Sequence, residues 1–303
     1  MLWLLVIILA YFLLSLTNLG DKYLLAGPPN PKNYSFYTGI LGIAVLVLIP
    51  FINFVLPSLS QILLSLLAGS IFILALFSFY NSLENFEASR VIPAIGGILP
   101  LFTFSLVYVF SGGKETLTID GLIALFLLIL GSFFITFEKE KKISFKSLPI
   151  SILTAFLFSL TFVLSKYVYL EQGFWPGFIL MRIGGFLTSF CFLFFKEIRD
   201  EIFNPPVGGP TFQKKTGIIY LSNQILGAGA FILQNWAIAL VPLGSLVFIN
   251  ALEGTKYLFL LILTAFLSLK FPSILKEKFS EKIILQKIIS ILLIGAGLIV
   301  LAI

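Results

Sequence analysis

Long apolar stretches separated by short polar connections repeat along the whole chain. Each stretch is close to the 20 or so residues that a helix needs to cross about 30 Å of hydrocarbon, and none alternates like a strand of a membrane barrel. The pattern predicts an all-α integral membrane protein of ten transmembrane helices. The predicted spans are 2–19, 34–56, 59–80, 86–110, 118–137, 149–169, 174–196, 216–240, 243–269 and 283–303.

Composition excludes most functions of soluble proteins. Of the 303 residues, 59% are hydrophobic and 11% are charged, and the mean hydropathy of +1.07 is too high for a water-soluble globule. The chain has no histidine and one cysteine, Cys191, which excludes Ser-His-Asp triads, Cys–His pairs, zinc sites and an intrachain disulfide. We expect no catalytic residue, no metal, no cofactor and no nucleic-acid partner, and a multi-pass position in the cell membrane.

Basic residues lie mostly on one side of the predicted bundle. The loops after odd-numbered spans, together with the adjoining span ends, carry 16 Lys and Arg residues, whereas the other side carries Lys114 and Lys166. The positive-inside rule places the basic side in the cytoplasm and both termini outside. The connections are too short to hold a soluble catalytic domain.

Two segments of the sequence recur in the same order. Residues 13–17, with the sequence Leu-Leu-Ser-Leu-Thr, are echoed 144 positions later by residues 157–161, and each segment is followed by a Lys-Tyr pair. Residues 127–131 similarly resemble residues 293–297. Chance similarity between Leu-rich helices is the alternative explanation.

The echoes predict two repeats of five spans each, residues 1–142 and 143–303. Because five is odd, the second repeat enters the membrane in the opposite orientation, so the two form an inverted pair. Inverted repeats provide two alternative gates around one central cavity.

Charged residues inside the spans need a reason, because each costs about 2.5–3.5 kcal/mol at the helix centre. Glu253 and Lys256 are three residues apart on one helical face with Asn250, so they either neutralise each other or line a cavity. Arg182 lies about 12 Å into its span at 1.5 Å per residue, too deep to snorkel to the surface. It either binds a carboxylate or phosphate or forms a salt bridge with Glu253.

Other polar residues have a structural and a functional interpretation. Asn235 and Trp236 either line the cavity or join helices. Lys22 and Lys166, near span ends, are expected to snorkel to the headgroups. A cluster at the junction of the third and fourth spans forms a solvated turn or a gate: Glu84, Glu87 and Arg90. Small residues in matching parts of the fourth and ninth spans predict interrupted helices near a central site: Gly96, Gly97, Pro100, Gly244 and Gly254.

The order of these features resembles the drug/metabolite transporter superfamily, in its EamA-like branch. The resemblance covers nearly the whole chain and is carried by residues 83–104, by both repeat ends, by residues 159–166 and by Leu252-Glu253, where Gly254 replaces the usual proline. Arg182 resembles an arginine that family members often carry. The resemblance implies a secondary transporter that exports small metabolites, with termini in the cytoplasm, opposite to the charge count.

The leading hypothesis is transport of a small polar metabolite, amino-acid-like or anionic, by alternating access. The alternatives are a lipid or lipid-carrier flippase and an integral-membrane transferase, although the three aspartates are too isolated for a metal-dependent transferase. We expect a small-molecule substrate, a lipid bilayer as surroundings, and a monomer or homodimer. The predicted substrate-binding residues are Arg182, Glu253, Lys256, Asn250, Asn235 and Trp236.

Overall fold

A computed structural model describes residues 2–24, 31–52, 54–86, 88–136, 147–196, 199–200, 214–270 and 281–302, and within them it is helical with no strand. The α-helices are α1 (Leu2–Leu24), α2 (Pro31–Gly42), α3 (Leu59–Asn85), α4 (Ala88–Phe110), α5 (Ile119–Thr136), α6 (Leu148–Gln172), α7 (Phe174–Cys191), α8 (Lys214–Leu240), α9 (Leu246–Ala251), α10 (Gly254–Lys270) and α11 (Glu281–Ala302). Short 3-10 helices extend α2 at Ile43–Phe51 and α7 at Phe192–Phe194, and precede α9 at Leu243–Ser245. Each apolar run predicted from the sequence falls largely on helix.

Six helical segments in the described part of the chain are long and apolar enough to cross a membrane. They are Leu2–Gly20, Leu59–Asn85, Val91–Phe110, Leu148–Gln172, Phe174–Phe194 and Leu243–Thr264. Shorter apolar segments lie at Ser35–Phe51, Ile119–Ile135 and Leu285–Leu301. The chain is therefore a helical membrane protein, and the full count of ten crossings stays a prediction.

Small side chains form most of the buried face of α3, whereas large ones lie on its outer face. In α3, Ala68 and Ser82 are fully buried, whereas Leu59, Leu63 and Leu67 are exposed. A helix in lipid gains little from burying a leucine, because the surrounding acyl chains are equally apolar. Small residues instead allow the backbones to approach closely.

The helices pack in a pattern that joins the two halves of the chain. Helix α1 packs against α8 and α10, and α6 packs against α3 and α4. Helices α5 and α11 pack against each other, and α2 packs against α7 and α3. The main apolar core contains buried residues from both halves, including every residue of α9 except Asn250. The centre of the molecule is thus built jointly by both predicted repeats.

Candidate substrate-binding site

The ninth apolar run folds as two helices, α9 and α10, with a turn between them. At this turn the Glu253 N–H donates to the Asn250 carbonyl at 3.1 Å, so the Ile249 carbonyl loses its regular helical donor. The buried Tyr11 hydroxyl of α1 donates to the Ile249 carbonyl at 2.6 Å. A side chain thereby satisfies the backbone group that the break leaves unpaired, as a helix broken inside a membrane protein requires.

A second carbonyl is freed at the same break. The Thr255 N–H donates to the Leu252 carbonyl at 2.9 Å, and the Ala251 carbonyl accepts instead from the Ser132 hydroxyl of α5 at 3.1 Å. Gly254 permits this contact, since a β-carbon there would lie 3.0 Å from the α-carbon of Ser132. The break is therefore held between α1 and α5. The prediction of an interrupted ninth span is confirmed, whereas α4 runs unbroken through its glycines and prolines.

Glu253 and Lys256 form an ion pair at this break, which is one of the two predicted alternatives; a role in lining a cavity stays a prediction. The Lys256 ammonium lies 2.5 Å from a Glu253 carboxylate oxygen, and the two side chains are 15% and 30% exposed respectively. The ammonium also lies 4.8 Å from the centre of the Tyr257 ring. Because the two charges neutralise each other, the pair presents no net charge to a ligand.

Asn250 takes part in a separate network. Its side-chain amide is buried and donates to the Thr103 hydroxyl of α4 at 2.7 Å. Thr103 donates to the Leu99 carbonyl at 3.0 Å, and that carbonyl also accepts from Ser159 of α6 at 2.8 Å. The helix break interrupts the predicted polar stripe, so Asn250 joins α9 to α4 and α6.

Arg182 of α7 lies among three phenylalanine rings, named here the aromatic cage. The guanidinium carbon is 4.5 Å from the ring centre of Phe231 in α8, 4.8 Å from that of Phe72 in α3 and 5.5 Å from that of Phe178 in α7. Each ring face attracts the cation through its quadrupole. Three helices therefore meet around one positive charge.

Arg182 has no carboxylate partner among the residues whose side chains are described. The alternative prediction of an Arg182–Glu253 salt bridge is wrong, because Glu253 pairs with Lys256. The Nε atom of Arg182 is buried without a hydrogen-bond partner. Aromatic faces attract a cation but do not neutralise it, so no described side chain compensates the charge of Arg182.

Asn235 and Trp236 lie beside the aromatic cage in different environments. The Tyr169 hydroxyl donates to the buried Asn235 side-chain oxygen at 2.8 Å, and the Asn235 amide donates to the Phe231 carbonyl at 3.0 Å. Trp236 is 46% exposed and stacks on Phe174 with ring centres 6.0 Å apart. Asn235 therefore links α6 to α8, and Trp236 contributes an apolar face at the edge of the site.

Lys166 is buried, and the prediction that it snorkels to the headgroups is wrong. The residue is 2% exposed, and its ammonium donates to the Ala239 carbonyl at 2.8 Å. Ala239 lies in the last turn of α8, where carbonyls lack helical donors and the helix dipole favours a cation. Lys166 thus caps α8 from α6. The side chain of its repeat partner, Lys22, lies outside the described residues.

The remaining predicted polar cluster is described only in part. Glu84 is exposed, whereas Glu87 and the side chain of Arg90 lie outside the described residues. Within the described ranges, no group of three histidine, cysteine or acidic residues is placed to hold a metal ion.

The sequence does not predict the aromatic cage. Phe178 is four residues before Arg182, a spacing that places both on one helical face. Phe72 and Phe231 come from distant helices, and no local pattern distinguishes them among 34 phenylalanines. The same holds for Tyr11, whose partner is a backbone carbonyl 238 residues away.

No family model and no curated protein sequence matches this chain. Among solved structures, a chain described as "Crystal structure of protein" is similar over 99% of this chain and 94% of that chain, with a TM-score of 0.66 and 14% sequence identity. A likeness at this identity shows a shared fold only. Function must therefore be argued from the site itself.

Proposed function

We propose that this chain is a secondary transporter of the cell membrane that exports a small polar metabolite, amino-acid-like or anionic, by alternating access. The observation that carries the proposal is the position of Arg182 in the aromatic cage, with no carboxylate partner among the described residues. A cation inside a membrane bundle is costly unless a counter-charge lies near it. A bound anion, or the carboxylate of a zwitterion, would supply that charge.

The charge balance of the site favours such a substrate over a cationic drug. Glu253 and Lys256 cancel each other, whereas Arg182 is not cancelled by any described side chain. A hydrophobic cation would meet repulsion from Arg182 and would compete with Lys256 for Glu253. The proposed binding site therefore has a net charge that is neutral to positive.

Matching contacts in the two halves support an inverted repeat. The rings of Phe12 in α1 and Phe259 in α10 meet edge to face, with centres 5.3 Å apart and planes at 82°. Phe156 of α6, 144 positions after Phe12, meets Phe102 of α4 at 5.5 Å and 78°. Phe12 and Phe156 are thus related by the offset of the sequence echo, whereas their partners Phe102 and Phe259 correspond only in lying in the fourth and ninth predicted spans. The proposal therefore includes repeats at 1–142 and 143–303, ten crossings, and the EamA-like arrangement that the sequence resembles.

Hydrogen bonds between helix ends are candidates for one of the two gates. The Gln61 amide at the start of α3 donates to the Glu171 carbonyl at 3.1 Å, near the end of α6. The side-chain amide of Gln172 in turn donates to the backbone carbonyl of Gln61 at 3.2 Å and to the Ser65 hydroxyl at 2.5 Å. Alternating access would break these bonds when this end opens.

Flux through proteoliposomes tests the proposal. The purified protein is reconstituted, and counterflow is measured for amino acids, organic acids and sugar phosphates against protein-free liposomes. The proposal expects saturable counterflow of at least one anion or zwitterion. Transbilayer movement of a labelled lipid, without flux of any water-soluble compound, would show a flippase instead.

A further inference from the structure

We infer that the substrate of the Arg182 site is a carboxylate with a single net negative charge attached to an apolar body, such as a short hydrophobic acid. This inference rests on the proposed transport function and narrows its substrate. Three features of the site support this substrate class: its charge, the surroundings of the guanidinium and the apolar side chains that line it.

Among the described side chains, Arg182 is the one charge at the aromatic cage, and none of them compensates it. Lys256 is neutralised by Glu253. Lys166 is bonded to the Ala239 carbonyl, which lies about 12 Å along α8 from the cage residue Phe231 at a rise of about 1.5 Å per residue. One negative charge on the ligand therefore balances the site. A phosphate monoester carries about −1.5 to −2 at neutral pH, and its excess charge would be left among apolar rings.

The surroundings of the guanidinium favour a carboxylate. The guanidinium carbon lies over three ring faces, at 4.5, 4.8 and 5.5 Å from their centres. The N–H donors of a guanidinium lie in its plane, in a fork that matches the two oxygens of a carboxylate. The Nε–H donor of Arg182 has no acceptor among the described residues. A carboxylate that meets the edge of this group would satisfy two N–H donors at once.

The walls of the site suit an alkyl or aryl body. Phe174 stacks on Phe178 at 5.5 Å and on Trp236 at 6.0 Å, which extends the apolar surface beyond the cage. The neighbouring polar side chains, Tyr169 and Asn235, are hydrogen-bonded to each other. A polyol would lose its hydrogen bonds to water without replacement, whereas an apolar body gains by leaving water.

A thermal-shift titration with matched probes tests this inference, since a ligand that binds the native state raises its melting temperature. The probes are 3-phenylpropanoate, phenyl phosphate with a similar body but a higher charge, and glycerate with the same charge but a hydroxylated body. We expect 3-phenylpropanoate to raise the melting temperature more than the other two probes. No shift with 3-phenylpropanoate, or an equal shift with phenyl phosphate or glycerate, would overturn the inference.

Three variants control for binding elsewhere. Arg182→Gln is expected to weaken binding by at least about tenfold, because it removes charged hydrogen bonds. Arg199→Gln makes the same change at an exposed arginine and is expected to bind like the wild type. Arg182→Lys keeps the charge without the fork and is expected to bind with intermediate affinity, which keeps the test decisive if Arg182→Gln does not fold. Unchanged binding in both Arg182 variants would overturn the inference.

Flux of the same probes separates this inference from the transport proposal. Selective binding of 3-phenylpropanoate without any flux would contradict transport and leave the ligand class standing. Flux of glycerate or phenyl phosphate in preference to 3-phenylpropanoate would contradict the ligand class and leave transport standing.

Discussion

Gly131 of α5 packs against Ile294 of α11, and the same contact occurs a second time with the partners exchanged. A β-carbon on Gly131 would lie 2.6 Å from the Ile294 side chain, and one on Gly297 would lie 2.8 Å from that of Leu128. The sequence echo between residues 127–131 and 293–297 aligns Gly131 with Gly297 and Leu128 with Ile294. From Leu128 to Gly131 along α5, the contacted residue in α11 changes from Gly297 back to Ile294, so the two helices run antiparallel. A two-fold relation between inverted repeats would produce this reciprocity.

Alanine at Gly131 or Gly297 is expected to lower the melting temperature of the purified protein. Overpacking a close contact typically costs about 1–3 kcal/mol. Gly295→Ala in the same helix is the matched control, since a β-carbon there meets nothing within 4 Å and alanine favours the helix. If Gly131→Ala and Gly297→Ala were as stable as the control, the close packing of α5 on α11 would be refuted.

Tyr11→Phe is expected to destabilise the fold at the break between α9 and α10. The substitution keeps the ring but removes the donor to the Ile249 carbonyl, and an unsatisfied buried carbonyl costs about 1–3 kcal/mol. The loss is measured by unfolding in detergent. Tyr108→Phe, at a half-exposed tyrosine, is the control and should change stability little. Equal stability of both variants would show that Tyr11 does not support the break.

Lys256→Met is expected to destabilise the protein more than the double variant Lys256→Met/Glu253→Gln. Removing one partner leaves a partly buried charge unpaired, which costs about 3 kcal/mol, whereas removing both leaves no charge. A double-mutant cycle on the free energy of unfolding measures the difference. If the losses of unfolding free energy in Lys256→Met and in Glu253→Gln added up to the loss in the double variant, the two side chains would not be coupled.

Tyr169→Phe is expected to loosen the contact of α6 with α8 beside the aromatic cage. Its hydroxyl donates to Asn235, and Phe keeps the packing of the ring against Phe174. The probe is a cysteine that replaces Phe178 in a protein whose own cysteine is removed by Cys191→Ser. With Tyr169→Phe added, this cysteine should react faster with a membrane-impermeant maleimide than with Tyr169 in place. Tyr167→Phe is the control on the same helix. Identical labelling rates in both backgrounds would show that the Tyr169–Asn235 bond does not restrict access.

Helix positions could be predicted from the sequence because the length of an apolar run is a local property. The predicted span 59–80 lies within Leu59–Asn85, and 149–169 lies within Leu148–Gln172. The helices are longer than the spans because a helix continues through polar residues beyond the hydrocarbon. The Glu253–Lys256 pair follows from the same local reasoning, since three-residue spacing brings the two side chains together.

The surroundings of each polar residue could not be predicted, because they depend on which helices meet. Hydropathy does not separate core from lipid-facing positions when both environments are apolar. Lys166 lies near a span end, where snorkelling is the usual expectation, but the end of α8 offers it a carbonyl. Asn250 lies one turn from Glu253 in sequence, but the helix break and Thr103 give it a different partner.

Counterflow with Arg182→Gln tests the central claim most directly, because Arg182 supplies the uncompensated charge on which the proposed binding of an anion depends. Flux is measured in proteoliposomes that contain equal amounts of wild type, Arg182→Gln or Arg199→Gln, with the anion or zwitterion that the wild type transports fastest. We predict that Arg182→Gln gives no flux above protein-free liposomes, while Arg199→Gln matches the wild type. Wild-type flux in Arg182→Gln would contradict the account.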